Sequence, residues 1–270
     1  MTAGDMVRRA TSLPSMNRRV YLSNSVLRQI ENGVLTLTIN RPERRNALDI
    51  ATYLGLAEAI RDAGGNDSVR VIVLTGAGDH FTAGNDLKDF QSARPVGDSA
   101  GMTFIRSLVD SDLPVVAAVE GNAIGIGVTL LQHCDFVYAA TTARFRIPFV
   151  ALGLCPEGAS SLLLARMVGQ RRANDWLLRG RAFSAAEALE AGFVNGTTDP
   201  GQALAQAMKA AGEMAALPPE ALRLTKRMLH HAERQQIHET LDYEVQHFSQ
   251  RLASREAQDA FAAFFQARKK

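Results

Sequence analysis

Between residues 34 and 148, short β-branched runs alternate with helix-patterned segments, and beyond about residue 200 the strand signal stops. The runs are VLTLTIN (34–40), VRVIVLTG (69–76) and LPVVAAVEG (113–121). Each leads through a glycine-bearing or polar loop into a helical pattern, at 46–63, near 99–111 and at 125–135. A fourth unit joins extended FVYAATTARFRIP (136–148) to a helix over 161–169. Parallel strands need such crossovers, so the alternation predicts an α/β fold on a largely parallel sheet. The first run alternates, whereas the second and third are nearly continuous apolar stretches, as strands covered on both faces are. Downstream, 203–217, 218–235, 237–254 and 256–269 read as helices, with Pro218 and Pro219 at a helix start where a missing amide costs nothing. The chain is therefore expected to divide into a flexible leader (1–22), an α/β core (23–200) and a helical C-terminal portion (201–270).

Several partner classes are disfavoured. A formal charge of +2 gives no electrostatic footprint for nucleic acid or a membrane surface. No apolar stretch approaches the roughly 20 residues that span a bilayer. Cys134 and Cys155 lie in apolar settings and read as reduced core thiols of a cytoplasmic protein. The leader is arginine- and serine-containing but lacks the apolar centre of a secretory signal, and the terminal QARKK is not a Ser-Lys-Leu address. The histidines have no metal-ligand spacing, and no metal is expected.

Two strand-to-loop junctions carry paired glycines: TGAGDHFTAGNDL (75–87) and EGNAIGIGVTL (120–130). Neither completes a dinucleotide fingerprint, because Phe81 and Leu130 stand where a third glycine belongs. Glycine permits close backbone approach, and the second loop abuts a helix N-terminus, where outward amides can bind an anion or a developing enolate oxygen. The alternative reading, equally open, is that the glycines only let a helix pack closely on a strand. A third feature is ALGLCPEGASSLLL (151–164), an apolar run interrupted by Glu157. A carboxylate there either caps a helix starting at Gly158 or moves a proton; an apolar surround makes a carboxylate a stronger base.

Four stretches, in order, resemble the crotonase or enoyl-CoA hydratase/isomerase superfamily: NRPERRNAL (40–48), FTAGNDLKDF (81–90), AVEGNAIGIGVTLLQHCDFVYAA (118–140) and SREAQDAFAAFFQARK (254–269). The resemblance covers about residues 30–270. It implies a crotonase-like spiral of repeated ββα units with a helical C-terminal trimerisation region, assembled as a homotrimer or dimer of trimers. It also implies an acyl-CoA thioester as substrate, with no further cofactor. Carried over by motif, the backbone amides of Asn85 and Ile126 polarise the thioester carbonyl. Ala83, Asp86 and Leu87 lie beside the adenine and pantetheine, Arg44 and Arg45 approach the phosphates, and Phe264 with Lys269 covers the nucleotide. Where hydratases of the family carry two water-activating glutamates, this chain has Thr129 and Phe149, which with Leu154 are expected to line the acyl pocket. LGLCPEGASS is similar to the segment in which peroxisomal-type Δ3,Δ2-enoyl-CoA isomerases carry a single acid/base, which assigns Glu157 that role. The expected activity is a shift of a double bond from the 3- to the 2-position of an enoyl-CoA. The alternatives are hydration, a ring-opening isomerisation, or acyl-CoA binding without turnover.

Overall fold

The computed structural model describes residues 24–86 and 99–267. The expected leader, Leu87 and Lys269 lie outside them. Strands β1 (Val26–Glu31) and β2 (Val34–Ile39) form an antiparallel hairpin, turned by Asn32 and Gly33 with positive φ. To β2 are added, all parallel, β3 (Val71–Gly76), β4 (Val115–Val119), then β6 (Phe136–Ala140) and β9 (Gly196–Thr198), giving a six-stranded sheet. A smaller sheet is built from β5 (Asn122–Ile124), β7 (Arg144–Arg146) and β8 (Ala182–Ser184). Isolated bridges, Thr82 to Ala123 and Leu48 to Asn85, extend this second layer backwards. Successive turns of the chain thus place one strand in the large sheet and the next extended segment in the small one, before a helix returns: the ββα spiral that the resemblance implies.

The helices are α1 (Ile50–Gly64), α2 (Ala100–Asp110), the single turn α3 (Ile126–Thr129), α4 (Ser160–Val168), α5 (Gln170–Leu178) and α6 (Ala185–Glu190). There follow α7 (Ala203–Ala215), α8 (Pro219–Leu252) and α9 (Arg255–Ala267). The main core lies between the two sheets and α1, α2 and α4, and includes Trp176 stacked on Phe183. On the other face of the large sheet, Ala203, Ala207, Ala211 and Ala215 recur every four residues along α7 and pack on Val34, Val71, Val73, Val116 and Ala118. Small side chains let that helix sit close to the strands, and Glu120 accepts its first amide, from Ala203, at 3.0 Å. The expected boundary at residue 200 falls between β9 and α7, and α7 covers the sheet.

Three sequence expectations need correction. The segments 218–235 and 237–254 are one continuous helix, α8: the polar stretch around Gln235 and Gln236 is its solvent face, with neither proline nor glycine to break it. The helix expected over 125–135 is one α-turn followed by a 3-10 turn, Leu130–His133. Strand β1 and the elements α5, β8, α6 and β9 were not anticipated, being short or exposed.

Candidate active site

The two glycine loops meet. The bridge between Leu48 and Asn85 is made by the Leu48 amide to the Gly84 carbonyl (2.8 Å) and the Asp86 amide to the Leu48 carbonyl (2.9 Å). In that parallel pattern the amide of the intervening Asn85 points away from Leu48. Contact with the second loop is close: a Cβ on Gly84, whose φ is +83°, would come within 2.5 Å of the Ile124 carbonyl oxygen. Gly125 (φ +57°) then turns the chain so that Ile126 opens α3, where the first amides have no intrahelical acceptor. Two amides, each one residue past a left-handed glycine, are thus presented from adjoining loops. Tyr53 on α1 holds the Asn85 side chain, donating its hydroxyl to Oδ1 at 2.6 Å, and Gly101 on α2 lies beside both Tyr53 and Ile126.

The loops are locked by a residue that sequence reasoning missed. Asn46 is fully buried; its Nδ2 donates to the carbonyls of Ala77 and His80, and its Oδ1 accepts from the Arg41 amide. His80 in turn accepts from the Asn122 amide through Nδ1 at 3.3 Å, so it serves the framework. Of the residues expected to meet coenzyme A, Ala83 is held through its amide by the Arg45 carbonyl, and Arg44 and Arg45 are exposed at the mouth of this loop. Asp86 is engaged by Arg41 at 3.3 Å, and the same guanidinium reaches Asp49 at 3.2 Å. Phe264 is 37% exposed on α9, a helix seated on the turn around Gly153.

Beyond Ile126 the residues expected to line an acyl pocket, Thr129, Phe149 and Leu154, are all buried. Thr129 is fully buried, and its hydroxyl turns back toward the Ile126 carbonyl at 3.5 Å. Phe149 is 4% exposed, lies against Gly125, and meets Phe248 of α8 edge-on at 6.3 Å between centroids. Leu154 is buried in the same core. The turn carrying Glu157 packs directly onto Thr129: a Cβ on Gly158 would stand 3.0 Å from the Thr129 hydroxyl oxygen. The Glu157 Oε1 is closed off from solvent. The capping position is Ala159, not Glu157. Helix α4 begins at Ser160, and its free amides at Ala159 and Ser161 are taken by Glu244 of α8. The Glu157 carbonyl accepts from the Ser160 amide and hydroxyl.

The electrostatics match burial. Burial, then the charge of Glu244 and more weakly that of Glu157, pushes the half-buried Cys155 thiol up, against an opposing Arg251. His133, whose Nε2 meets the Gly158 carbonyl at 2.8 Å, is held down at about 4 by desolvation and by nearby positive groups. Asp135 accepts from the Val115 amide and is joined by Lys226 at 2.7 Å and His230 at 3.3 Å. Among the described residues no cluster of side chains suits a metal ion, and no helix is long and apolar enough to cross a membrane.

A family model described as enoyl-CoA hydratase/isomerase matches residues 29–270. The chain is 33% identical over 249 residues to enoyl-CoA delta isomerase 2 of Rattus norvegicus, covering 90% of this chain and 63% of that protein. It therefore spans less than two thirds of that relative's length. It is equally 33% identical, over 241 residues, to 2,3-dehydroadipyl-CoA hydratase of Escherichia coli (strain K12), covering 88% of this chain and 94% of the relative. Among solved structures, an enoyl-CoA hydratase/isomerase from Pseudoalteromonas atlantica T6c superposes with a TM-score of 0.87 at 41% identity, over 90% of this chain and 97% of that one.

Proposed function

The chain belongs to the enoyl-CoA hydratase/isomerase family, and from that premise we propose that it isomerises a 3-enoyl-CoA to the conjugated 2-enoyl-CoA, with Glu157 as its single acid/base. The observation that carries this reading is the exchange of polarity beside the Gly125–Ile126 turn. By the resemblance, Thr129 and Phe149 stand where hydratases carry their glutamates; both are buried, and the turn bearing Glu157 is packed on Thr129. Neither threonine nor phenylalanine accepts a proton at neutral pH, and the phenylalanine ring excludes the water that hydration consumes. Relatives named as isomerase and as hydratase match equally well, so identity does not divide the two activities.

In this mechanism the Glu157 carboxylate removes a proton from the α-carbon of the thioester. The resulting dienolate carries its charge on the thioester oxygen, held by the amides of Asn85 and Ile126. The carboxylic acid then returns the same proton to the γ-carbon, leaving the 2-enoyl thioester and a regenerated carboxylate. The proton never leaves the side chain, so neither water nor any further cofactor is required. Each donor aimed at such an oxygen is worth about 3–4 kcal/mol, judged by the cost of deleting one, and a positioned base about 10²–10⁴-fold. Ala83, Asp86 and Leu87, with Arg44, Arg45, Phe264 and Lys269, are proposed to hold the coenzyme A portion, and Leu154 with Phe149 the acyl chain. Assembly as a homotrimer or a pair of trimers is proposed on the resemblance alone, and a cytoplasmic location on the reading of Cys134 and Cys155 as reduced thiols.

The experiment supplies a 3-enoyl-CoA and a 2-enoyl-CoA to the purified protein in parallel. Conjugation of the first without hydration of the second is expected. Glu157→Gln, which keeps side-chain size and removes the base, is expected to lower isomerisation by about 10²-fold or more. Hydration of the 2-enoyl-CoA at a comparable rate, or a Glu157→Gln enzyme within about tenfold of wild type, would sink the reading.

A further inference from the structure

Helix α8 supplies a second carboxylate to the turn that follows Glu157. Glu244 is 4% exposed; its Oε2 accepts from the Ala159 amide at 2.6 Å and its Oε1 from the Ser161 amide at 2.9 Å. Burial pushes this carboxyl above its ordinary range, against the opposing pull of the bonds from Ser161 and Ala159. A carboxylate is costly in such a place. A helix start needs no distant acid, because a serine or aspartate at the capping position serves. Here that position is Ala159, which has no acceptor and adopts φ +58°, a left-handed conformation that an alanine tolerates only under constraint.

The constraints converge on the residues flanking Glu157. Gly158 is wedged on Thr129 and its carbonyl is met by His133; Ser160 closes back on the Glu157 carbonyl; Glu244 grips the amides on either side of Ser160. One face of α8, with Leu241, Glu244, Phe248 and Leu252 all buried at helical spacing, carries both Glu244 and the ring that meets Phe149. We propose that Glu244 is a positioning residue: by fixing the 157–161 turn from the C-terminal helix, it aims the Glu157 carboxylate at the substrate. This inference rests on the isomerase reading above, in which Glu157 is the acid/base.

The test is a double-mutant cycle on the full chain, using Glu157→Gln, Glu244→Ala, Glu244→Gln and the pair Glu157→Gln/Glu244→Ala. Turnover of a 3-enoyl-CoA is followed, with binding of free coenzyme A measured separately. A misplacement of the base by about an ångström predicts that Glu244→Ala lowers kcat roughly tenfold or more while KM stays within about twofold. Glu244→Gln, which keeps one acceptor, is expected to recover part of that loss. In the Glu157→Gln background, adding Glu244→Ala is expected to change kcat by less than about twofold, because nothing remains to be aimed. Equal effects of Glu244→Ala in both backgrounds, a change confined to KM, or Glu244 variants that neither fold nor bind coenzyme A would overturn the positioning role and leave the carboxylate to stability. Unimpaired turnover by Glu157→Gln alone would instead defeat the reading on which it rests.

Discussion

At the scale of single residues, the candidate oxyanion site depends on what two glycines lack. Gly84 holds φ at +83° with the Ile124 carbonyl 2.5 Å from where a methyl would stand. An alanine there meets both a left-handed cost of roughly 1–2 kcal/mol and a collision with backbone, which cannot step aside as a side chain can. The strand would have to shift, taking the Asn85 amide with it. Gly84→Ala is therefore expected to lower isomerase kcat by about 10² or more, the scale of losing one oxyanion donor. Gly101→Ala is the control: its new methyl finds its nearest neighbour, the Tyr53 ring, at 3.5 Å, an ordinary contact, and steady-state kinetics should separate the two. The glycine loops were legible as sites of close approach from their sequence alone. Asn46 was not, because its importance lies in bonds to Ala77 and His80, more than thirty residues away, that no local pattern announces.

At the scale of elements, the same distinction decides what sequence shows. Strands β2, β3 and β4 are apolar because they are covered, so composition exposes them. Strand β1, VLRQIE, has all but its first residue exposed at the sheet edge and carries no such signal. Helix α8 reads as two because its buried positions are sparse, and the long-range contacts of its two buried charges, Glu244 and Lys226, are invisible along the chain. One of these is Lys226, 6% exposed, donating to Asp135 and to the Leu113 carbonyl. Burial raises the Asp135 carboxyl, but His230 and Lys226 outweigh it and hold it below the ordinary range. Lys226→Met removes the cation and leaves the acid in place, so it is expected to cost about 3–5 kcal/mol in urea unfolding. Adding Asp135→Asn should recover part of that loss. Equal stability of wild type and Lys226→Met would mean that α8 is docked by its apolar face alone.

At the scale of the whole molecule, helices drawn from the C-terminal part of the chain hold the parts of the site together: α7 seals the large sheet, α8 carries Glu244, Phe248 and Lys226, and α9 seats on the turn at Gly153. Stability and site geometry should then share a pH dependence, and His133 is where it is read. Desolvation holds its pKa at about 4, against 6.5 for the free side chain, with the positive charges of His230, Lys226 and His238 adding to the effect and the Gly158 carbonyl opposing it. A depressed histidine means that the unfolded chain binds a proton which the folded one refuses, so the contribution is complete above about pH 6.5 and is lost as pH falls toward 4. A difference of that size corresponds to at most about 3 kcal/mol. Glu244 acts in the opposite sense, since its raised carboxyl takes up a proton more readily when folded, and Asp135, held below its ordinary range, adds to the acid loss only as pH approaches 4. His133→Asn therefore isolates the histidine: urea unfolding between pH 4 and 7 is expected to steepen with acid in the wild type and to flatten, or reverse under Glu244, in the variant. Parallel profiles for the two proteins would show that His133 is protonated in the fold as easily as outside it, and the contact with Gly158 would then owe nothing to a neutral ring.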